Sequence, residues 1–415
     1  MNHLIIGAGP AGVIAAETLK KLAPDSNVTL IGAEPEPPYS RMAIPYYLIE
    51  KIGEEGTWLR GPDHFNELGV RLIRDRVDSV NPISRTVSLD NGDTLGWDRL
   101  LIATGSHPVA PPISGIDLPQ VQSCWTLEDA RRIAERARPG ASVVLMGAGF
   151  IGCIVLEALH KRGVELTVVE TGDRMVPRML DETAGNLLKR WTESKGVTVH
   201  TSTSVAGIDE ADGDRVAVRL SNGETLLADL VISATGVRPN IGFVENAGID
   251  IDQGILVDRH LETSHDDIFA AGDVAQGRDF STGERSVHAI QPTAADHGRI
   301  AALNMAGHET EHHGSINMNV LDTLGLITTS FGLWMGVDGG ESVERHNPDD
   351  WKYIKLQFAE DRLVGASTAG MTDHVGVIRG LIQNRTRLGK WKERLMKDPT
   401  RLMEAWVGIT ENVSY

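Results

Sequence analysis

Two glycine-rich turns, each between an apolar run and a helical stretch, hold the residues whose types and spacing point to chemistry. The first turn reads Gly7-Ala8-Gly9-Pro10-Ala11-Gly12. In this G-x-G-x-x-G spacing the first glycine permits a tight bend, the second lets the backbone approach a pyrophosphate, and the third lets the helix pack on the strand. Phosphate groups then bind the unpaired N–H groups at the positive end of the helix. The turn therefore predicts a dinucleotide site.

Two side chains downstream of the first turn are candidates for contacts with the same dinucleotide. Glu34 follows the apolar run at residues 28–31 and lies at roughly the 20-residue distance expected of a ribose-binding acid. Arg41 follows a proline-rich segment at residues 35–38, at the end of a sheet where ligands of open parallel sheets bind. Its guanidinium could neutralise a pyrophosphate, although an ordinary surface arginine is the alternative interpretation.

The same pattern occurs a second time in the chain. The second turn reads Gly147-Ala148-Gly149-Phe150-Ile151-Gly152. Glu170 ends the apolar run that follows this turn and predicts a second ribose contact. Each half continues through a hairpin, with turns at residues 90–93 and 221–224, to an Ala-Thr-Gly sequence that ends at Gly105 or Gly236. Two copies in the same order indicate a duplicated domain and two bound dinucleotides.

A later apolar strand, at residues 268–271, leads to Gly272 and Asp273 and is expected to return to the first domain. The Asp273 carboxylate could accept a hydrogen bond from a ribityl hydroxyl or lie near a pyrophosphate beside main-chain N–H groups. As an isolated motif, Asp273 could equally be the N-cap of the following helix.

Composition limits the class of protein. The chain has 415 residues, enough for two or three domains, and its formal net charge of −17 argues against nucleic acid as a partner. Its two cysteines, Cys124 and Cys153, exclude a disulfide scaffold and do not form a C-x-x-C pair. We expect neither a leader segment nor a membrane span, and therefore predict a cytoplasmic protein without a membrane partner.

Two polar segments near the end of the chain have several interpretations. His308 and His312 have the spacing of a metal-binding pair on a helix, but their segment shows no apolar helical face, so we predict no metal site. The tail from Val375 is predicted to be helical with a break at Gly389, and it is rich in Lys and Arg. A solvated helix face is the simpler interpretation of this basic run, and docking of an acidic partner or a subunit contact is the alternative.

The order of both glycine turns, both acids, both Ala-Thr-Gly sequences and the Ala271-Gly272-Asp273 segment resembles the FAD- and NAD(P)-dependent pyridine-nucleotide-disulfide oxidoreductase superfamily. The resemblance implies an α/β protein with two three-layer, Rossmann-like dinucleotide-binding domains and a C-terminal α+β interface domain. It implies a split FAD domain at residues 1–112 and 241–314, an NAD(P)H domain at residues 113–240, and the interface domain at residues 315–415.

Residues 32–41 are most similar to the flavoprotein part of assimilatory nitrite reductases and to rubredoxin and ferredoxin reductases. The C-terminal part is similar to the coenzyme A disulfide reductase and NADH oxidase branch, but the redox cysteine of that branch is replaced by Met42. A thioether cannot form a thiolate. The lysine and glutamate that many relatives place beside the flavin are replaced by Tyr46 and Ile154, so these three residues are the near-flavin candidates.

The resemblance also implies cofactor contacts residue by residue. The implied FAD contacts are Gly7, Gly9, Pro10, Ala11, Gly12, Glu34, Arg41, Val77, Ala103, Thr104, Gly105, Gly272 and Asp273. The implied NAD contacts are Gly147, Gly149, Phe150, Ile151, Gly152, Glu170 and Gly236.

The function implied is an enzyme in which NADH, rather than NADPH, reduces FAD, and FAD passes electrons to a small redox protein or other soluble acceptor without a protein thiol. One alternative is a disulfide or persulfide reductase or an NADH oxidase. Another is a flavoprotein scaffold whose NADH-bound state controls association. A homodimer is a further possibility that the resemblance raises.

Overall fold

The structure is a computed structural model, and it describes residues 1–411. The chain divides into two compact units. Unit 1 comprises Met1–Pro108 and Val237–Ser315, and unit 2 comprises Val109–Gly236 and the chain from Ile316 onward. The predicted three-domain division stays a prediction, and residues 412–415 of its last domain lie outside the described residues.

Helices and strands are numbered here in chain order. The chain begins with β1 (Asn2–Ile6), α1 (Pro10–Leu22), β2 (Asn27–Gly32), α2 (Ile44–Leu48), α3 (His64–Leu68), β3 (Val70–Arg74), β4 (Val77–Asn81), β5 (Thr86–Leu89), β6 (Thr94–Gly96), β7 (Arg99–Ile102) and β8 (Ser106–Pro108). Unit 2 then supplies β9 (Val121–Ser123), α4 (Leu127–Arg136), β10 (Ser142–Met146), α5 (Phe150–Lys161), β11 (Glu165–Val169), α6 (Glu182–Ser194), β12 (Thr198–His200), β13 (Val205–Ala211), β14 (Arg215–Leu220), β15 (Thr225–Ala228) and β16 (Leu230–Ser233).

The second half of the chain returns to unit 1 before it ends in unit 2. Its unit 1 elements are β17 (Val237–Pro239), β18 (Ile255–Leu256), β19 (Ile268–Ala270), β20 (Ala275–Arg278), β21 (Arg285–Val287) and α7 (Gln291–Met305). The last elements are β22 (Met318–Thr323), β23 (Leu326–Gly332), β24 (Glu341–Asn347), β25 (Lys352–Ala359), β26 (Arg362–Ala369), α8 (Val375–Gln383), α9 (Lys390–Lys397) and α10 (Leu402–Thr410).

Unit 1 is built on a parallel sheet with the strand order β19-β7-β1-β2-β3. Its central strands consist mainly of buried apolar residues, as expected where helices cover a parallel sheet. Ile6 pairs with Ile102, and Ile102 pairs with Ala270. The turns that follow these strands therefore meet at one edge of the sheet, the carboxyl edge at which ligands of such sheets bind.

Unit 2 repeats this arrangement with the strand order β12-β11-β10-β16-β9. Met146 pairs with both Val169 and Ser233, so the second glycine turn, Glu170 and the second Ala-Thr-Gly sequence follow strands that end side by side. The two predicted hairpin turns are confirmed, since each lies within a three-stranded antiparallel sheet, β4-β5-β6 or β13-β14-β15.

The chain from Ile316 onward forms an antiparallel sheet, ordered β22-β23-β26-β25-β24, and three helices. Apolar residues of β23, β25 and β26 are buried in this sheet. The predicted helical break at Gly389 is confirmed, since it precedes α9. Strand β24 was not predicted, because six of its seven residues are exposed and it shows no apolar alternation.

The structure also separates the two histidines with metal-ligand spacing. His308 is exposed, whereas His312 is buried with its ring 4.6 Å from that of His297, and their segment is not helical. Residues 1–411 contain no group of three or more metal-ligating side chains placed to hold an ion. Within the same residues, no helix has both the length and the apolar composition needed to cross a membrane.

Candidate functional site

The first glycine turn leaves an opening for a ligand at one of its three glycines. Gly7 has φ +114°, and a Cβ there would lie 2.1 Å from the Ala103 carbonyl oxygen. A Cβ on Gly12 would lie 1.9 Å from the Gly7 carbonyl oxygen. At Gly9, by contrast, no atom lies within 4 Å of the Cβ position. The outer glycines are therefore required by packing, whereas Gly9 borders open space, as a passing pyrophosphate requires.

The second glycine turn repeats this division of roles. A Cβ on Gly147 would lie 2.6 Å from the Ala234 carbonyl oxygen, and one on Gly152 would lie 2.1 Å from the Gly147 carbonyl oxygen. Gly149 has no atom within 4 Å of its Cβ position. Because the open position recurs at the middle glycine, the two turns fit two phosphate-bearing ligands of the same kind.

Both helices that follow these turns begin without a capping side chain. Gly9 is the N-cap of α1 and Gly149 the N-cap of α5, and neither cap makes a side-chain hydrogen bond. Pro10 opens α1, and Phe150 and Ile151 open α5. Helix N-termini of this kind present N–H groups to an anion, so the geometry of both first turns fits phosphate, and the contacts of the individual residues there stay predictions.

The predicted ribose acid and the predicted pyrophosphate cation of unit 1 lie together. Arg41 Nη2 is 2.6 Å from Glu34 Oε1, and both side chains are about one-third exposed. The hydroxyl of Tyr39, a residue absent from the predicted contacts, donates to Glu34 Oε2. Since about a third of each charged side chain is exposed, both remain accessible to a ligand.

Asp273 is the second acid of unit 1 and follows the strand that returns to this sheet. Ser106 Oγ donates to its Oδ2 at 2.8 Å. Burial raises the pKa of the Asp273 carboxyl, while the hydrogen bond from Ser106 and the charge of Arg41 act in the opposite direction. Because the charge of Arg41 acts on Asp273 and its guanidinium pairs with Glu34, one cation links the two predicted FAD acids.

The Ala-Thr-Gly segment of unit 1 is joined to Asn240 by two hydrogen bonds at the carboxyl edge of the sheet. Thr104 Oγ1 donates to the Asn240 carbonyl oxygen at 3.0 Å, and Asn240 Nδ2 donates to the Thr104 carbonyl oxygen at 2.8 Å. Gly105 carries this segment into β8. Val77, at the start of β4, is buried in the apolar core of the unit.

The near-flavin candidates fall in both units. Met42 and Tyr46 lie four residues apart in unit 1, and they are 46% and 50% exposed. Ile154 is half-buried on α5 in unit 2. The grouping of these three residues beside a flavin therefore stays a prediction.

Glu170 is held differently from its counterpart in unit 1. It is 7% exposed; its Oε2 accepts a hydrogen bond from Ala148 N at 2.6 Å, and its Oε1 accepts one from Gly172 N at 2.7 Å. Two main-chain donors thus hold this carboxylate next to the second glycine turn. Gly236, whose φ is +124°, ends the neighbouring Ala-Thr-Gly sequence.

Gln291 is a second residue of this edge that was not among the predicted contacts. Ser40 Oγ donates to its Oε1 at 2.7 Å, which links the start of α7 to the segment that carries Arg41. A Cβ on Gly272 would lie 3.4 Å from Ala294 Cβ in the first turn of α7. Proline is common at the start of a helix, so the proline after Gln291 was the one sequence signal that a helix begins at this residue.

Both cysteines are unsuited to thiolate chemistry. Cys124 and Cys153 are buried and unpaired, and burial raises the pKa of each thiol to about 12. The Cys153 Sγ lies 3.6 Å from the Ala148 carbonyl oxygen, behind the second glycine turn. Neither sulfur is exposed to a substrate in this structure.

Comparison with known proteins identifies the family. The model of the family described as pyridine nucleotide-disulphide oxidoreductase matches residues 1–298. The chain is 30% identical over 403 residues to the NADH-dependent phenylglyoxylate dehydrogenase subunit epsilon of Aromatoleum evansii, covering 96% of this chain and 95% of the relative.

Two solved structures have the same fold. The covalent putidaredoxin reductase–putidaredoxin complex matches with a TM-score of 0.91 at 25% identity, over 99% of each chain. An NAD-dependent persulfide reductase from A. fulgidus matches with a TM-score of 0.87 at 29% identity, over 94% of this chain and 78% of that one.

These likenesses confirm the predicted superfamily, the α/β fold class and the enzyme class, an FAD-dependent NAD(P)H oxidoreductase. The predicted cofactors, FAD and NADH, are confirmed with them. The individual contact residues stay predictions that the geometry fits. The chain belongs to the pyridine nucleotide-disulphide oxidoreductase family.

Proposed function

We propose that the chain is an FAD-dependent NADH:acceptor oxidoreductase whose electrons pass from the flavin to a redox protein without a protein thiol. The observation that carries this proposal is the burial of both cysteine thiols. By the family resemblance, Met42 replaces the redox cysteine. Both cysteines that the chain does have are buried, and burial raises the pKa of each thiol to about 12. Because the thiolate is the reactive form, neither cysteine is suited to shuttle electrons at neutral pH.

The side chains of unit 1 are proposed to bind FAD rather than to react. Gly9 leaves room for the diphosphate, Arg41 supplies positive charge, and Glu34 and Asp273 accept hydrogen bonds from ribose and ribityl hydroxyls. Bound FAD supplies a hydride acceptor that afterwards releases electrons singly or in pairs. The protein then needs only to align the nicotinamide with the flavin, so no acid–base side chain is required for this half-reaction.

NADH is the proposed reductant because of how Glu170 and Arg174 are held. A buried carboxylate next to the second glycine turn accepts a hydrogen bond from a ribose 2′-hydroxyl and repels a 2′-phosphate. Arg174 could soften that repulsion only if it reached the ligand. Instead, its Nε donates to the Leu180 carbonyl oxygen at 3.0 Å, and its Nη1 donates to Asp173 at 2.7 Å.

A protein acceptor is supported by two of the similar proteins. One is a covalent complex of putidaredoxin reductase with putidaredoxin, and the other is a subunit of an NADH-dependent dehydrogenase. The first is thus bound to a second polypeptide, and the second is one subunit of a larger enzyme. An anaerobic screen of the NADH-reduced protein against ferredoxins, rubredoxins and quinones identifies the acceptor by which of them reoxidises the flavin.

The absence of a working thiol is tested by anaerobic titration with NADH. The end point is expected at one NADH per FAD, because no second redox group is left to fill. The Cys124→Ser, Cys153→Ser double variant is expected to keep its NADH-to-dye activity within a few-fold. Uptake of two NADH per FAD would contradict the proposal and favour a disulfide or persulfide reductase. Loss of activity in the double variant with FAD still bound would do the same.

Two further parts of the proposal concern the protein in the cell. A cytoplasmic location is proposed from the sequence alone, and two unpaired cysteines are compatible with it. A homodimer is proposed from the family resemblance alone. Sedimentation of the FAD-loaded protein tests it, and a monomeric mass at micromolar concentration would reject it.

A further inference from the structure

Tyr39 is the common partner of the two charged side chains predicted to hold FAD at its adenosine ribose and diphosphate. Its hydroxyl donates to Glu34 Oε2, and Arg41 Nη1 donates to the same hydroxyl oxygen at 3.1 Å. Arg41 also pairs with Glu34 Oε1, and its guanidinium lies 5.6 Å from the centre of the Tyr39 ring. The phenol therefore contacts both ions of the pair.

The backbone leaves the phenol little freedom to move. Tyr39 is 7% exposed, and it forms an antiparallel bridge with Trp58. On either side, Ser40 N donates to the Thr57 carbonyl oxygen and Leu59 N donates to the Pro38 carbonyl oxygen, each at 2.9 Å. Burial and the backbone bridge thus hold the phenol in place, whereas the side chains of Glu34 and Arg41 are about one-third exposed.

A carboxylate can accept about four hydrogen bonds, and it readily takes both donors of an arginine fork. The Tyr39 hydroxyl donates to Glu34 Oε2 and accepts from Arg41 Nη1, so it bridges the second nitrogen of the guanidinium and the second oxygen of the carboxylate. Without that hydroxyl, each ion would satisfy the other. The ribose would then compete for the carboxylate and the diphosphate for the guanidinium.

We infer that Tyr39 is a positioning residue for FAD, and that its hydroxyl keeps Glu34 directed to the adenosine ribose and Arg41 available to the diphosphate. The inference rests on the proposed binding of FAD in unit 1. It concerns affinity for the adenosine half of the cofactor and assigns Tyr39 no part in hydride transfer.

The test measures the rate at which the diluted holoenzyme releases FAD, read from the fluorescence of the freed flavin. Tyr39→Phe is expected to release FAD about tenfold faster, the size of effect typical of a lost hydrogen bond to a charged group. Tyr47→Phe is the matched control. Its hydroxyl has no hydrogen-bond partner among residues 1–411, so a change within about twofold is expected.

A double-mutant cycle separates positioning from general stability. If Tyr39 acts through Glu34, then Tyr39→Phe adds no further loss, within about twofold, in a Glu34→Ala background. The same tenfold factor in both backgrounds would overturn the inference, because the hydroxyl would then act independently of the carboxylate. Unchanged release from the single variant would also overturn it.

Two outcomes distinguish this inference from the proposed function. A wild-type protein that binds no FAD would reject the proposed function itself, whereas a failure confined to Tyr39→Phe rejects only the role of the hydroxyl. The melting temperature of each FAD-free variant is measured alongside. A Tyr39→Phe protein that fails to fold, while Tyr47→Phe folds, would assign Tyr39 a structural role and overturn the inference.

Discussion

At the scale of single residues, the two predicted ribose acids differ in how the protein holds them. Glu34 is partly exposed and bound by side chains, whereas Glu170 is buried and bound by the N–H groups of Ala148 and Gly172. Main-chain donors cannot swing away, so Glu170 is the more rigid of the two. The selectivity of the enzyme between NADH and NADPH is therefore expected to depend on the Glu170 side chain.

Glu170→Ala is expected to lower kcat/KM for NADH by about 10- to 100-fold, because a hydrogen bond to a charged group contributes about 1.5–3 kcal/mol. The value of kcat/KM for NADPH is expected to change little. The variant loses a ribose contact, but it also loses the repulsion between the carboxylate and the 2′-phosphate, and the two effects offset each other. Steady-state kinetics with both reductants measure the ratio. Glu165→Gln, an exposed change at the start of β11, is the control. Equal losses for NADH and NADPH would contradict the specificity assigned to Glu170.

At the scale of elements, each glycine turn combines two packing glycines with one that borders open space. Gly9 has φ −79° and ψ −174°, an extended conformation that any residue adopts. A side chain at this position is therefore compatible with the fold and incompatible with the ligand. The neighbouring Gly12 shows the reverse, because its Cβ position is already filled by the Gly7 carbonyl group.

Gly9→Val is expected to give a folded protein that retains no FAD, because its side chain fills the path of the diphosphate. Gly12→Val is expected to give little folded protein, because the Cβ position lies 1.9 Å from a carbonyl oxygen. Circular dichroism and the flavin-to-protein absorbance ratio measure the two effects. A yellow Gly9→Val protein would show that the diphosphate does not pass this glycine.

The elements also show which parts of the molecule the sequence can predict. Buried strands such as β1 and β10 are predictable because covered parallel strands are apolar throughout, and the turns after them have fixed glycine spacing. Strand β24 is not predictable, because its residues are mostly polar and exposed, and the side-chain partners of Glu344, which are Tyr353 and Lys355 on β25, are brought to it only by folding. Tyr39 lies in the segment 32–41 that carries the resemblance, but neither it nor Gln291 was predicted to contact a cofactor, because their contacts depend on segments that only folding brings together.

At the scale of the whole molecule, buried neutral histidines couple the stability of the fold to pH. Burial lowers the pKa of His297 from 6.5 to about 3, and that of His3 from 6.5 to about 4. Above pH 6.5 the folded and unfolded chains are both neutral at these positions. Below it, the unfolded chain binds protons that the folded chain does not bind, so the free energy of unfolding falls.

This loss is expected between pH 6.5 and about 3–4, with a slope of at most about 1.4 kcal/mol per pH unit for each histidine. His297→Gln is expected to melt at a lower temperature than the wild type at pH 7, because it loses buried packing. The difference in melting temperature is expected to be smaller at pH 5, because only the wild type is destabilised by the titration of His297. Scanning calorimetry across this range measures it, with the exposed His308→Asn as control. A constant difference would exclude His297 as a source of the pH dependence.

The burial of both cysteine thiols has a practical consequence for chemical labelling. Thiol reagents attack an accessible thiolate, and Cys124 and Cys153 offer none at neutral pH. The native protein should therefore consume no thiol reagent, and the guanidinium-unfolded chain should consume two equivalents. A Met335→Cys variant, at a position 78% exposed, would then carry the single reactive site. The enzyme can accordingly be attached to an electrode through one chosen surface atom, with its own cysteines left in place.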